Sequence, residues 1–277
     1  MNRAIRYVSP VILPIFFIMF WQSFSIKLDN PIVLPTVSKV FDILSKPNMN
    51  LLSIGSIIRN VLVSVLRVGI GYIMAAGLAI PIGLFIGYSK RVEEFLMPFI
   101  NLFRPIAPLA WVPLVLAWFG VTSMASVFGI EKGSLYILFN NIKAAMIFII
   151  FIGAFFPILT NSIYGVKSVQ KTLIDSALTL GAEKKDILLK ILLPGALPSV
   201  VTGLRVGLGV AWMCLVSAEM LPGSLAGIGY LITHAYTVAR TDIVIAGMIA
   251  ISCVGGLFDW IFQKIEVKFF KWQSMSK

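Results

Sequence analysis

Few side chains in this sequence are equipped to make or break bonds. There is one histidine, His234, and there are two cysteines, Cys214 and Cys253. A single histidine leaves no credible Ser/His/Asp nucleophile set. His234 has no second metal ligand nearby in sequence and reads as a surface or interface residue. Neither cysteine has a CxxC or CxxH neighbour, and each sits in an apolar run, so both read as small buried hydrophobes. No GxxxxGK[ST] phosphate cradle is present. The expectation is therefore no catalytic residue, no metal and no cofactor, and a chain that is not itself an enzyme. Any ATP-derived energy must arrive through a partner.

What remains is electrostatic. Arg67, Arg104, Lys143, Arg205, Glu219 and Asp259 fall within or beside long apolar stretches. A charge at the centre of a membrane helix costs about 2.5–3.5 kcal/mol on insertion scales, so such residues are paired, near an interface, or functional. Arg104 and Arg205 have two readings: they line an anion path, or they bond backbone carbonyls freed by nearby prolines. Glu219 is likewise a pathway candidate, or one half of a salt bridge with an arginine that fixes its span.

A third group of residues is built for docking. The segment SVQKTLIDSALTLGAEKKDILLKILLP covers residues 168–194. Leu173, Ala177 and Leu180 recur at i, i+4 and i+7, with Ile174 and Leu178 beside them, which is a short amphipathic helix. Gly181 interrupts the pattern, and a second helix beginning near Glu183 is expected to close at Pro194. An amphipathic helix must bury its apolar face on the membrane surface or in a partner's groove, unless it is a plain connector.

The elements that carry these residues are membrane spans. The chain has 277 residues, is 58% hydrophobic and only 13% charged, and has a mean hydropathy of +0.95. Soluble domains carry about 25% charged residues. The net charge of +11 has no basic face outside apolar runs, so it does not point to nucleic acid. Six apolar stretches stand out: Val8–Phe24, Val61–Tyr88, Phe95–Phe119, Leu135–Leu159, Gly195–Leu221 and Ile243–Phe262. Each is long enough to cross the bilayer as a helix, and none alternates as a barrel strand would. The third contains Pro98, Pro105, Pro108 and Pro113 and cannot be one straight helix. The first resembles a signal peptide but lacks a small-residue cleavage site after Phe24, so it is expected to be retained.

Lys and Arg near the span ends favour both termini in the cytoplasm, with Arg3, Arg6, Lys90, Arg91, Lys167, Lys184, Lys264 and Lys271 among the inner charges. The expected organisation is an N-terminal span and outer segment over 1–60, a five-span core over 61–262 with a cytoplasmic loop at 162–194, and a cytoplasmic tail over 263–277. The GxxxG pairs Gly83/Gly87 and Gly203/Gly207 are expected to let helices pack closely.

The docking segment resembles the loop of ABC importer permeases: Glu-Ala-Ala, three residues, Gly, nine residues, Ile, one residue, Leu-Pro. Here the positions are Asp175, Ser176, Ala177, Gly181, Ile191, Leu193 and Pro194. Every spacing fits, with Asp in place of Glu and Ser in place of the first Ala. FRPIAPLAWVPLVLAWFG (103–120), LPGALPSVVTGLRVGLGVAWMCLVSAEM (193–220) and Gly227-Ile228-Gly229 resemble the nitrate/sulfonate/taurine type of these permeases. One departure is an outer segment, 120–141, longer than the family pattern.

The resemblance implies an all-α membrane protein of about six helices with the type I (MetI-like) importer fold. It implies that the 175–194 segment docks in a cleft of an ATPase subunit. The implied partners are a second permease copy, two ATPase subunits, an extracytoplasmic binding protein and the lipid bilayer. The substrate would be a small anion such as nitrate, a sulfonate or taurine; a thiamine-precursor pyrimidine is the alternative. An ATP-independent secondary transporter is a rival that would show inverted repeats and midplane carboxylates, and neither is evident. A membrane scaffold that transports nothing is the other.

Overall fold

The computed structural model describes residues 3–270 apart from 134, 135, 137, 138 and 222, with side chains from Ile12 onward except at 184. Leu135, where the fourth apolar stretch begins in the sequence, and Lys271 and Lys277 of the tail lie outside the described residues. The described chain is helical throughout, with only the isolated bridges Leu51–Gly55 and Ser123–Lys143. The elements are α1 (Arg3–Leu28), α2 (Val37–Ser45), α3 (Ile57–Tyr88), α4 (Lys90–Phe103), a 3-10 turn (Pro108–Trp111) leading into α5 (Val112–Phe119), and α6 (Met124–Val127). They continue with α7 (Ala144–Lys167), α8 (Lys171–Thr179), α9 (Leu193–Glu219), α10 (Ile228–Thr237) and α11 (Thr241–Phe269).

Hydrocarbon dictates this inventory, because a helix satisfies its own backbone where no water can. Four helices are long and apolar enough to cross a membrane: α3, α7, Ile187–Glu219 and α11. A fifth candidate is the pair Lys90–Phe103 and Pro108–Phe119, bent by 81° at the break between them. The proline-rich third stretch is thus two pieces, as its composition requires. In α1, Ile12–Leu28 forms a shorter apolar helix.

Three boundaries differ from the sequence reading. The fourth span runs from Ala144 to Lys167 rather than from 135 to 159. Asn161 and Ser162 look like the start of a loop, but they bond helix carbonyls of Pro157 and Ile158 and stay within the helix. The segment between the fourth and fifth spans therefore begins at Ser168, not at 162. Pro194 does not close a helix either. A π-helical stretch, Ile187–Leu192, runs directly into α9, and Pro194 occupies its first turn, where a missing N–H costs nothing.

The chain forms two compact units. One comprises 1–63 and 225–252. In it the Trp21 indole donates to the Pro35 carbonyl at 3.0 Å, and the Ser25 hydroxyl donates to the Leu34 carbonyl at 2.8 Å. These bonds hold the loop after α1. The Asn60 side chain accepts from Gly227 N at 2.9 Å and fixes the start of α10, where Gly227 has φ +116°.

The other unit comprises 64–224 and 253–277. Its centre is α7, with 61% of its most apolar window buried against 22–33% for the other three long helices. Both GxxxG pairs lie against it. A Cβ at Gly83 would meet Ser162 Cβ at 2.5 Å, and one at Gly87 would meet Val166 Cβ at 2.7 Å. Gly203 and Gly207 face Asn161 and Ile158 in the same way. Close approach of small residues is how membrane helices gain contact where no hydrophobic drive separates them from lipid. Glu93 pairs with Lys167, and Gly165 abuts Ala196. These contacts gather the end of α7, the start of α4 and the start of α9 at one end of this unit.

Candidate functional site

The docking segment sits at the end marked by Lys167. Asp175, Ser176 and Ala177 lie on α8, which has no buried residue. Its exposed leucines are Leu173 (54%), Leu178 (51%) and Leu180 (88%). Ile174 packs with Ala182, Leu188 and Ile191 on a buried cluster of Val166, Ile187, Leu192, Ala196 and Val200. The helix is therefore anchored through Ile174, while Leu173 and Leu180, seven residues apart, stay exposed along another face.

Its end is built on Gly181. Gly181 N bonds Leu178 O at 3.0 Å and Ala182 N bonds Ala177 O at 3.0 Å, the paired bonds of a Schellman turn. Gly181 has φ +83°, a left-handed conformation that side chains resist, with nothing near its missing Cβ. Beyond it, Asp186 pairs with Lys190 at 2.8 Å, and that bond holds the carboxyl below its usual range. Ile191 and Leu193 are half-buried and Pro194 is exposed. No loop separates this turn from the fifth span.

The intramembrane charges divide into three environments. Glu219 and Arg67 form a buried ion pair at 2.6 Å, with side chains 0% and 1% exposed. The Ser64 hydroxyl lies 2.8 Å from both carboxylate oxygens, and Arg67 Nε and Nη2 donate to the Asn141 carbonyl at 3.0 and 2.6 Å. This cluster ties α3, α9 and the segment before α7. Arg205 is clamped between two carboxylates of α11: its Nε meets Asp259 at 2.6 Å and its Nη1 meets Glu266 at 3.1 Å. Asp259 and Glu266 are seven residues apart, two helical turns, and that spacing was the signal in the sequence for a shared face. Arg104 follows α4 at the break, is exposed, and makes no ion pair or side-chain hydrogen bond with any described residue.

Aromatic rings line the broken span. Phe103 stacks on Trp111 at 6.0 Å, and Trp111, Trp118 and Phe119 surround Phe148 of α7 at 5.8–6.5 Å. The Trp111 Nε1 is buried without a hydrogen-bond partner. Elsewhere, His234 stacks on Tyr230 at 6.1 Å, Cys214 is buried and Cys253 is exposed. Within the long segment 120–141, α6 forms at Met124–Val127, where the Ser123 hydroxyl accepts from Ser126 N at 3.3 Å.

A family model described as binding-protein-dependent transport system inner membrane component matches residues 79–271. The chain is 47% identical over 270 residues to a putative ABC transporter permease protein of Methanocaldococcus jannaschii, covering 98% of this chain and 94% of that one. It is 31% identical to a putative aliphatic sulfonates transport permease protein of Bacillus subtilis, over 99% and 90% of the two chains. It is 30% identical to the taurine transport system permease protein of Escherichia coli, over 92% and 85%. Among solved structures, an inward-facing methionine ABC transporter matches with a TM-score of 0.62 at 16% identity, over 76% of this chain and 95% of that one. That likeness establishes the type of fold.

Proposed function

Because this chain belongs to the family of binding-protein-dependent transport system inner membrane components, we propose that it lines the translocation pathway of an importer for a small anion such as nitrate, a sulfonate or taurine. It is a multi-pass membrane permease subunit of an ABC importer, and ATP hydrolysis resides in a separate subunit of the assembly. The relatives named for sulfonates and taurine support the anion reading.

The observation that carries the mechanism is the docking segment. Leu173 and Leu180 stand exposed along one face of this segment while Ile174 anchors another, which suits a groove in the ATPase. Asp175, Ser176 and Ala177 present the first turns of that helix, and Gly181 sets its angle to the π-helical stretch. Ile191, Leu193 and Pro194 belong to the start of the fifth span, so force on α8 passes through Ile187 and Leu192 into α9 without a slack loop. Closure of the ATPases on ATP would displace α8, and α9 would rock with it. The Lys and Arg residues near the span ends favour cytoplasmic termini, and that orientation supports a position of this segment on the ATPase side. The spans of one copy form half a pathway, so the working unit is a homodimer with two ATPase subunits and an extracytoplasmic binding protein.

The substrate class is tested by a thermal-shift screen of the binding protein encoded beside this gene, against nitrate, sulfonates, taurine, bicarbonate and thiamine-type pyrimidines. Stabilisation by an anion of this panel or by taurine is the expected result. Stabilisation by a pyrimidine alone would keep the importer and remove the anion.

A further inference from the structure

The three arginines within the spans are not equivalent. Arg67 is neutralised by Glu219, and Arg205 is held by Asp259 and Glu266. Neither has charge to spare for a passing anion. Arg104 has no such partner among the described residues and is exposed.

Its depth is set by two paths through the structure. At 1.5 Å per residue, α4 runs about 15 Å from Glu93, which meets Lys167, to its end at Phe103. Through the aromatic rings, Phe103 lies 6.0 Å from Trp111, and Trp111 lies 6.5 Å from Phe148. Phe148 stands nineteen residues before Lys167 on α7, which is about 28 Å along the helix. The two paths put residues 103–104 roughly 15–30 Å from the end marked by Lys167, within a hydrocarbon layer about 30 Å thick. An arginine at such depth does not face lipid without a cost, so it faces water or cargo.

We propose that Arg104 is the residue that recognises the anionic cargo inside the pathway. Its planar guanidinium at the 81° break offers two parallel N–H groups to an oxyanion of the nitrate or sulfonate kind. The inference rests on the anion reading given above and assigns that reading to one side chain.

The test uses the complete transporter in proteoliposomes, with its ATPase subunits and its loaded binding protein. The cargo is whichever ligand of the panel stabilises the binding protein. Arg104→Gln is expected to lower uptake at least about tenfold, while ATPase stimulation by the loaded binding protein stays within about twofold. Arg104→Lys is expected to retain more uptake than Arg104→Gln, because it keeps the charge and loses the fork. Undiminished anion uptake by Arg104→Gln would overturn the inference and leave the anion reading standing. Equal losses in the Gln and Lys variants, or a parallel loss of ATPase stimulation, would overturn it in favour of a structural arginine. A binding protein stabilised only by an uncharged pyrimidine would bring down the anion reading and this inference with it.

Discussion

Glu219→Ala removes the counter-charge of a buried arginine, Arg67. The pair is 2.6 Å long, and both side chains are at most 1% exposed. Arg67 would keep the Asn141 carbonyl but lose the Glu219 carboxylate. Removing one partner of a buried pair costs about 3–5 kcal/mol. At roughly 2–4 °C per kcal/mol, the midpoint of thermal unfolding in detergent falls by roughly 6–20 °C. Arg67→Met is the companion single variant; it strands the Glu219 carboxylate beside the Ser64 hydroxyl and is likewise expected to melt below the wild type. The double variant Arg67→Met/Glu219→Leu strands neither charge, and it is expected to melt above Glu219→Ala. The assay is fluorescence-detected size exclusion after heating, on all four proteins. A Glu219→Ala variant that melts with the wild type, or a double variant whose loss is the sum of the two singles, would refute the reasoning.

Three further outcomes are expected on the same structural grounds. Gly181→Leu places a side chain at φ +83° with open space around it, so only backbone strain of about 1–2 kcal/mol acts; uptake is expected to be lost while the amount of protein in the membrane is unchanged, as read by transport and immunoblot. Gly83→Leu meets Ser162 Cβ and the Leu159 carbonyl, whereas Gly77→Leu meets nothing within 4 Å; the first is expected to lower the melting temperature and the second to leave it within a few degrees. Arg205→Gln leaves Asp259 and Glu266 without their shared cation on a membrane helix, so it is expected to lower the melting temperature, whereas Arg104→Gln, which breaks no contact with a described residue, is expected to leave it within a few degrees.

Much of this architecture was legible in the residues because the bilayer simplifies the code. A run of about twenty apolar residues has few fates other than a helix, and four prolines in the third stretch had to break it. The boundaries were less legible for a physical reason. Ser162 is fully buried and bonded to its own helix, so a polar residue there signals packing rather than an exit from the membrane. Pro194 has the look of a stop, yet a proline in a first turn is also a start, and only the chain before it decides. The ten-residue α10 is too short to register as a span, and its anchor, Asn60, is 167 residues away in sequence. In the candidate sites, the spacing of Gly181 and Pro194 could be read directly. The pairing of Arg67 with Glu219 depends on a contact across 152 residues that no local pattern encodes.

The central claim is that this permease moves its cargo only when ATP hydrolysis drives the segment around Gly181. The most direct measurement is uptake of labelled cargo into proteoliposomes holding the permease, its ATPase subunits and the loaded binding protein, with ion gradients collapsed and ATP supplied or withheld on the ATPase side. Accumulation with ATP and none without it is the predicted result. Accumulation that persists without ATP and tracks an imposed ion gradient would contradict the account and return the chain to the class of secondary transporters.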